Sequence, residues 1–402
     1  MPNTLYDYTI IGGGIVGVSV AWQLKQRLPH ASILLIDKES QLAQHQTGHN
    51  SGVIHAGVYY APGSLKAELC KKGAAATLAF CRQYGIAVKQ PGKLLVACNA
   101  LELQRMQALQ QRCQKNGIGV TALNQQQLKQ QEPNITGLGA LLVEDSGIVD
   151  YSQITKTMAR LFQQQGGHVQ LNTQLQAAVE NRDNISLTTN RGAITSRYVI
   201  ACAGLAADRV ARLLNLAIDF SIVPFRGEYY QLSPENHDLI QRLIYPIPDP
   251  ALPFLGVHLT PMINGGISVG PNAVLGWKRE GYGRINFKLK DAIDMLRFPG
   301  FWKLCRSQYQ SGISEYKNSL YKRGYLKQIQ KYCPQLTLQD LEPYPSGIRA
   351  QAVLADGSLV QDFLFAESAR SLHVCNAPSP AATSAIPIGD YICQRLQEKT
   401  SV

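Results

Sequence analysis

The sequence predicts an α/β fold in two parts: a Rossmann-like domain around a parallel sheet, and a second domain of antiparallel sheet with helices. Three observations predict it. The apolar run Tyr8-Thr9-Ile10-Ile11 leads into Gly12-x-Gly14-x-x-Gly17, and a second apolar run, Ile33 to Ile36, ends on Asp37. A buried strand-like segment, Tyr198-Val199-Ile200-Ala201-Cys202-Ala203, stops on Gly204 before a helix, so the chain returns there to the first domain. Between Ile222 and Val269 the strand-like runs are interrupted by proline, as in an antiparallel sheet with irregular edges.

The amino-terminal segment is the most specific of the three. Strand, glycine turn, helix, strand and acid, in that order, form the βαβ unit that holds the adenosine half of a dinucleotide. Gly12 allows the tight turn, Gly14 lets backbone N–H groups approach a diphosphate, and Gly17 lets the helix pack close to its strand. The helix N-terminus adds positive dipole for the phosphates. Asp37 follows Gly17 by 20 residues and ends the second strand, where its carboxylate accepts from ribose hydroxyls; Lys38 is next to it.

The segment Thr47-Gly48-His49-Asn50-Ser51-Gly52-Val53-Ile54-His55-Ala56-Gly57-Val58-Tyr59-Tyr60 follows; its glycines forbid a regular helix and admit a flat ligand close to the backbone. A helix is expected from Ser64, its cap, to Tyr84, then a strand over Lys93–Ala97 and an amphipathic helix over Leu101–Asn116. The glutamine-rich tract from Gln104 to Gln131 reads as a solvated helix surface. Asp150 caps another helix to Gln165, with Ile154, Met158, Leu161 and Phe162 on one face. Short strands between Val169 and Leu187 precede the run into Gly204. Beyond the proline-broken sheet the chain reads as helical, and Leu372 to Cys375 reads as one more buried strand. The loop Asn376 to Thr383 and a helix from Gly389 complete the chain.

At 402 residues about two domains are expected. Nine scattered cysteines with no CxxC pair, and no secretory leader, fit buried thiols in a reducing cytoplasm rather than disulfides or zinc ligands. No apolar run reaches the roughly 20 residues of a spanning helix. The net charge of +11 is concentrated between Gly276 and Tyr332, where thirteen Lys or Arg face four acids. Within it lie Phe298, Phe301 and Trp302 beside cations. This reads either as a surface resting on anionic lipid, on the cytoplasmic face of the inner membrane, or as a helical face whose aromatics enter the core. No recognition motif accompanies the charge, so nucleic acid is not expected as a partner.

The glycine fingerprint, Thr47 to Tyr60, Ala203-Gly204, Phe225-Arg226-Gly227-Glu228-Tyr229-Tyr230 and the Asn376 to Thr383 loop together resemble the D-amino-acid oxidase-like FAD oxidoreductases. Within that superfamily, His49 to His55, Val257-His258-Leu259-Thr260-Pro261 and Gly270-Pro271-Asn272-Ala273 are most similar to the L-2-hydroxyglutarate oxidases and dehydrogenases. The resemblance covers nearly the whole chain. It implies a glutathione-reductase-type FAD-binding domain from residues 1–85, 146–215 and 335–402, and a substrate domain from 86–145 and 216–334. One departure is Pro387, in Ser384-Ala385-Ile386-Pro387-Ile388-Gly389, which fits a first helical position.

The resemblance further implies FAD held by Gly12, Gly14, Gly17, Asp37, Lys38, Thr47, Asn50, Ser51, Gly52, Ala203, Gly204, Ser379, Pro380, Ala381 and Thr383, with no metal. The activity it implies is oxidation of (S)-2-hydroxyglutarate, a small dicarboxylate, to 2-oxoglutarate, with electrons passed on to oxygen or a membrane quinone. The alternatives are an amino-acid or N-methyl-amine oxidase of the same fold and a flavin-binding or membrane-surface protein without turnover. Arg349 corresponds to the arginine that seats the substrate carboxylate in related amino-acid oxidases, a role suited to a bidentate guanidinium. His55 and His258 are both candidates for the base that takes the hydroxyl proton, because histidine titrates near neutrality. For the second carboxylate Arg226, Lys278 and Lys66 are candidate cations, with Tyr59, Tyr60 and Tyr229 as donors; Arg226 and Glu228, two apart on a strand, also read as a mutual pair.

Overall fold

The computed structural model describes residues 5–250, 255–283, 285–309, 312, 315–316, 319 and 321–400. Its first sheet runs in the order Leu175–Glu180, Ile185–Thr189, Gly192–Ala201, Leu5–Ile11, Ile33–Ile36 and His168–Gln170, and Ser371–Asn376 also pairs with Gly192–Ala201. The strands around Leu5–Ile11 are parallel, with Ile11 opposite both Ala201 and Ile36. The helix Ile15–Arg27 is buried on nearly every side, so its sequence is apolar or small all round. It packs between the helices Tyr151–Gln164 and Ala385–Thr400, so both ends of the chain share one core.

The second sheet has nine strands, including Phe220–Leu232, Ile267–Gly270, His258–Pro261, Leu243–Pro246 and Lys93–Ala97 in that spatial progression. It is largely antiparallel, although Leu243–Pro246 and Lys93–Ala97 pair in parallel. Leu341–Leu354 pairs antiparallel with Phe220–Leu232 along its length. This corrects the expected boundary at residue 335, because that strand belongs to the substrate sheet and the chain returns to the nucleotide domain after it. Alternation divides Lys93–Ala97 between two cores: Leu94 and Val96 pack with Tyr325 and Ile329, whereas Leu95 and Ala97 face Val53 to Tyr59.

Local signals set the helix starts. Ser64 accepts from the Ala67 N–H at 3.2 Å and opens Leu65–Gln83; Asn99 caps Ala100–Lys115; Asp150 accepts from the Ser152 N–H at 2.8 Å. The last helix begins at Ala385, four residues before the expected Gly389. Ile388 N–H donates to Ser384 carbonyl at 2.8 Å, and Pro387 falls in the first turn, whose N–H groups have no intrahelical acceptor.

In the basic region the helices are Leu289–Leu296, Pro299–Ser307 and Lys322–Gln330, while Arg284 and most of 310–320 lie outside the described residues. Phe301 is 3% exposed and packs with Val223, Leu304 and Val353, and Phe298 lies against the same cluster. Of the two readings, Phe298 and Phe301 follow the one in which the aromatics enter the core; of the three, Trp302 alone is exposed, and its Nε1 donates to the Leu296 carbonyl at 2.9 Å. The two domains are pinned by a buried ion pair. Arg279, in the loop before these helices, donates to both carboxylate oxygens of Asp208, which also accepts from the Ile222 N–H and the Ser221 hydroxyl.

Candidate active site

The glycine turn has the cradle its sequence requires. A Cβ at Gly12, whose φ is +117°, would lie 2.4 Å from the Cys202 carbonyl, and one at Gly17 would lie 2.0 Å from the Gly12 carbonyl. At Gly14 the nearest atom would be the Thr47 hydroxyl at 3.4 Å, so here the missing side chain leaves space beside the helix N-terminus. Thr47 Oγ1 accepts from the Ile15 N–H at 3.0 Å and fixes the next segment against that terminus. Asp37 ends its strand with one carboxylate oxygen on the Gly13 N–H and the other on the Glu39 N–H at 2.8 Å. A dinucleotide diphosphate and its ribose fit this set of donors, open backbone and acid.

Lys38 is placed otherwise. Its ammonium is held by Glu39 at 2.8 Å and Glu280 at 2.6 Å, so it ties the strand end to the loop carrying Tyr282. Asn50 is spent on its own turn, donating to the Thr47 carbonyl at 2.7 Å and accepting from the Gly52 N–H at 2.8 Å. Ser51 is half-buried beside it, and Gly52 (φ +68°) turns the chain under Val149. Ala203 and Gly204 start the turn after the central strand. Ser379, Pro380 and Ala381 form a compact turn in which Ala381 N–H donates to the Pro378 carbonyl at 2.9 Å. Thr383 joins it to the opposite end of the chain: its hydroxyl accepts from the His55 N–H at 3.2 Å and pairs with the Tyr151 hydroxyl at 2.9 Å.

Above this seam the substrate sheet presents one wall. Strand order puts His258 between Arg349, on Leu341–Leu354, and Lys93, at the head of Lys93–Ala97. His55, Tyr59, Tyr60, Tyr229 and Arg349 are only partly covered, yet protein surrounds them deeply on all sides. Groups that are accessible and still surrounded line an internal cavity. Tyr245 stacks on His258 with ring centroids 3.8 Å apart, and the Lys93 ammonium lies 4.4 Å from the Tyr245 ring centroid and 5.4 Å from that of Tyr59. Lys66 sits 4.8 Å over the Tyr60 ring.

Electrostatics make both histidines neutral. Burial, then the charges of Lys93, Lys66 and Arg349, push His55 well below its ordinary value. For His258, burial leads and Lys93 and Arg349 add to it, bringing the imidazole down to about 3 against the opposing Gly256 bond. Its Nδ1 lies 3.0 Å from the Gly256 carbonyl, which can only accept, so Nδ1 carries the proton and Nε2 the lone pair. Arg349 is itself lowered by burial, with Tyr229, Tyr245 and Glu315 opposing.

Of the expected substrate ligands, the structure brings together His55, His258, Arg349, Tyr60 and Tyr229. Arg226 is not among them. In the strand register Phe225 stands opposite Arg349 and Arg226 opposite Ile348, so Arg226 points to the other face of the sheet. There it meets Glu228 at 3.5 Å and donates to the Gly281 carbonyl. Lys93 and Tyr245 belong to the wall but carry no motif. The one signal in the sequence is a lysine heading the apolar run Lys93-Leu94-Leu95-Val96-Ala97.

The family described as FAD dependent oxidoreductase matches residues 7–395. The chain is 52% identical over 394 residues to an L-2-hydroxyglutarate dehydrogenase of Escherichia coli (strain K12), covering 98% of this chain and 93% of that protein. To the mitochondrial L-2-hydroxyglutarate dehydrogenase of Homo sapiens it is 42% identical over 412 residues, covering 98% and 89%. The fold is similar to an L-alpha-glycerophosphate oxidase from Mycoplasma pneumoniae with FAD bound, at a TM-score of 0.79 and 24% identity over 98% of this chain and 95% of that one. A glycine oxidase from Geobacillus kaustophilus superposes with a TM-score of 0.74 at 16% identity over 97% and 95%. A glycine cradle for the diphosphate, both chain ends closing on one seam and a family match over nearly every residue place the chain in the FAD-dependent oxidoreductase family, with FAD as its cofactor.

Proposed function

We propose that the protein oxidises (S)-2-hydroxyglutarate to 2-oxoglutarate. The observation that carries the reading is the charge of the cavity, in which three cations, Arg349, Lys93 and Lys66, act on two neutral histidines. Such a cavity accepts an anion of more than one charge and offers a base for a hydroxyl proton. The relatives at 52% and 42% identity are L-2-hydroxyglutarate dehydrogenases by name, which supports the same substrate.

Oxidation of the alcohol removes a hydride from C2 and a proton from the hydroxyl, and bound FAD supplies the acceptor for the two electrons. The guanidinium of Arg349 seats the carboxylate next to C2 and limits rotation about that end. His258 Nε2, or the ring of His55 across the cavity, takes the hydroxyl proton. Each must be neutral to do so, and burial with the neighbouring cations favours the neutral form of both. The dianion offsets the cations that depress these histidines and so raises their proton affinity when the substrate is in place.

For the acceptor that takes the electrons onward, we favour a membrane quinone over oxygen. Ile285, Phe287 and Leu289 are 85%, 58% and 64% exposed, in one short segment with Lys288 and Lys290. Apolar side chains alternating with cations suit an anionic lipid surface on the cytoplasmic face of a membrane. Among the described residues no helix is long and apolar enough to cross a membrane.

A comparison of substrates tests the activity. The purified holoprotein with an artificial electron acceptor should form 2-oxoglutarate from (S)-2-hydroxyglutarate and should leave amino acids and N-methyl amines untouched. Turnover of an amine in preference to the hydroxy acid would overturn the reading.

A further inference from the structure

We propose that Lys93 seats the distal carboxylate of the substrate and thereby selects 2-hydroxy dicarboxylates over 2-hydroxy monocarboxylates. The inference rests on the hydroxy-acid oxidation proposed above. Lys93 is 1% exposed, and its neighbours are the rings of Tyr59 and Tyr245, the Cys70 thiol and the two histidines. Among the described residues no carboxylate pairs with it. An unpaired buried ammonium is costly, and a fold that retains one has a ligand charge to meet.

The other cations have partners elsewhere: Lys66 donates to the Gln361 carbonyl at 3.3 Å and is supported by Asp362, and Glu315 acts on Arg349. Hydroxyls reinforce the assignment. Those of Tyr59 and Tyr245 are buried without a well-aligned partner, although Thr260, likewise unpartnered, is close enough to perturb Tyr245. The strand of His258 lies between those of Arg349 and Lys93 and both cations act on its ring, so a substrate held between them lies at the imidazole.

The groups facing Lys93 leave it the titrating member near neutrality. Tyr59, Tyr245 and Cys70 are pushed up by burial and His55 and His258 pushed down, so all five are neutral, while burial lowers Lys93 to about 8. Lys93 therefore holds its charge below that pH and loses it above.

The test compares (S)-2-hydroxyglutarate with (S)-2-hydroxypentanoate, which lacks the distal carboxylate, in the wild-type holoenzyme and in Lys93→Met. Wild type should prefer the dicarboxylate; Lys93→Met should lose about 100-fold more in kcat/KM on it than on the monocarboxylate, since any effect through the shared histidines falls on both substrates. Equal losses on both substrates, or loss on neither, would overturn the proposal. Wild type inactive on both hydroxy acids would instead sink the underlying activity. If Lys93→Met does not retain FAD, Lys93→Gln takes its place, and the wild-type pH profile decides independently. There kcat/KM for the dicarboxylate should fall above pH about 8 while that for the monocarboxylate does not bend, and a bend shared by both would contradict the proposal.

Discussion

His258 shows how one side chain acquires its chemistry from its surroundings. Its imidazole bonds the Gly256 carbonyl, stacks on Tyr245 and is held neutral by burial and two cations. His258→Ala and His55→Ala should each retain flavin absorbance and slow anaerobic flavin reduction; removal of the base costs about 10²- to 10⁴-fold. Wild-type rates in both would take histidine out of the mechanism. Because lowered histidine values mean protonation only in strong acid, kcat/KM should carry no acid limb from His258 above pH about 5. Both histidines were legible in the sequence, lying in segments with a family resemblance. Lys93 was not, because its burial depends on Tyr245 and Tyr59, which pairing of distant strands brings beside it. Arg226 drew attention by its charge, yet strand alternation turns it to the far face.

Between elements, the Arg279–Asp208 pair is the main electrostatic bolt. Burial would raise the Asp208 carboxyl, but the Arg279 hydrogen bonds and charge, the Ile222 N–H and Arg212 hold it below its ordinary value. With the folded value depressed, the stabilisation is complete above the unfolded carboxyl range and is lost as pH falls through the folded value. Arg279→Leu leaves the buried Asp208 with the half-exposed Arg212 as its remaining charge partner and should cost about 3–5 kcal/mol in denaturant unfolding; a loss below about 1 kcal/mol would contradict this role for the pair. Elements with local signals were legible: Ser64, Asp150 and the glycine turn fix their own helix ends. The strand Leu341–Leu354 was misassigned to the nucleotide domain because its partner, Phe220–Leu232, is more than a hundred residues away and no local rule selects it. The last helix was placed from Gly389, four residues late, although Pro387 was read as compatible with a helix start and falls in the first turn.

At the scale of the whole molecule, a parallel sheet and a mixed, largely antiparallel one meet over a cationic cavity, and both chain ends close beneath it. The class of each sheet was legible from apolar patterning; the cavity was not, since it exists only where the two meet. The exposed surface follows the same rule, as Phe298 and Phe301 were drawn inward and the apolar exposure moved to Ile285, Phe287 and Leu289. The protein should co-sediment with anionic vesicles, and serine at those three positions should abolish this; a parent protein that stays in the supernatant would remove the membrane reading. The central claim, a cavity that presents the C2 hydrogen of one hydroxy dicarboxylate to FAD, is tested most directly by anaerobic titration with each enantiomer of 2-hydroxyglutarate. The account predicts stoichiometric bleaching of the flavin by (S)-2-hydroxyglutarate and none by the (R) form; equal bleaching by both, or by neither, would contradict it.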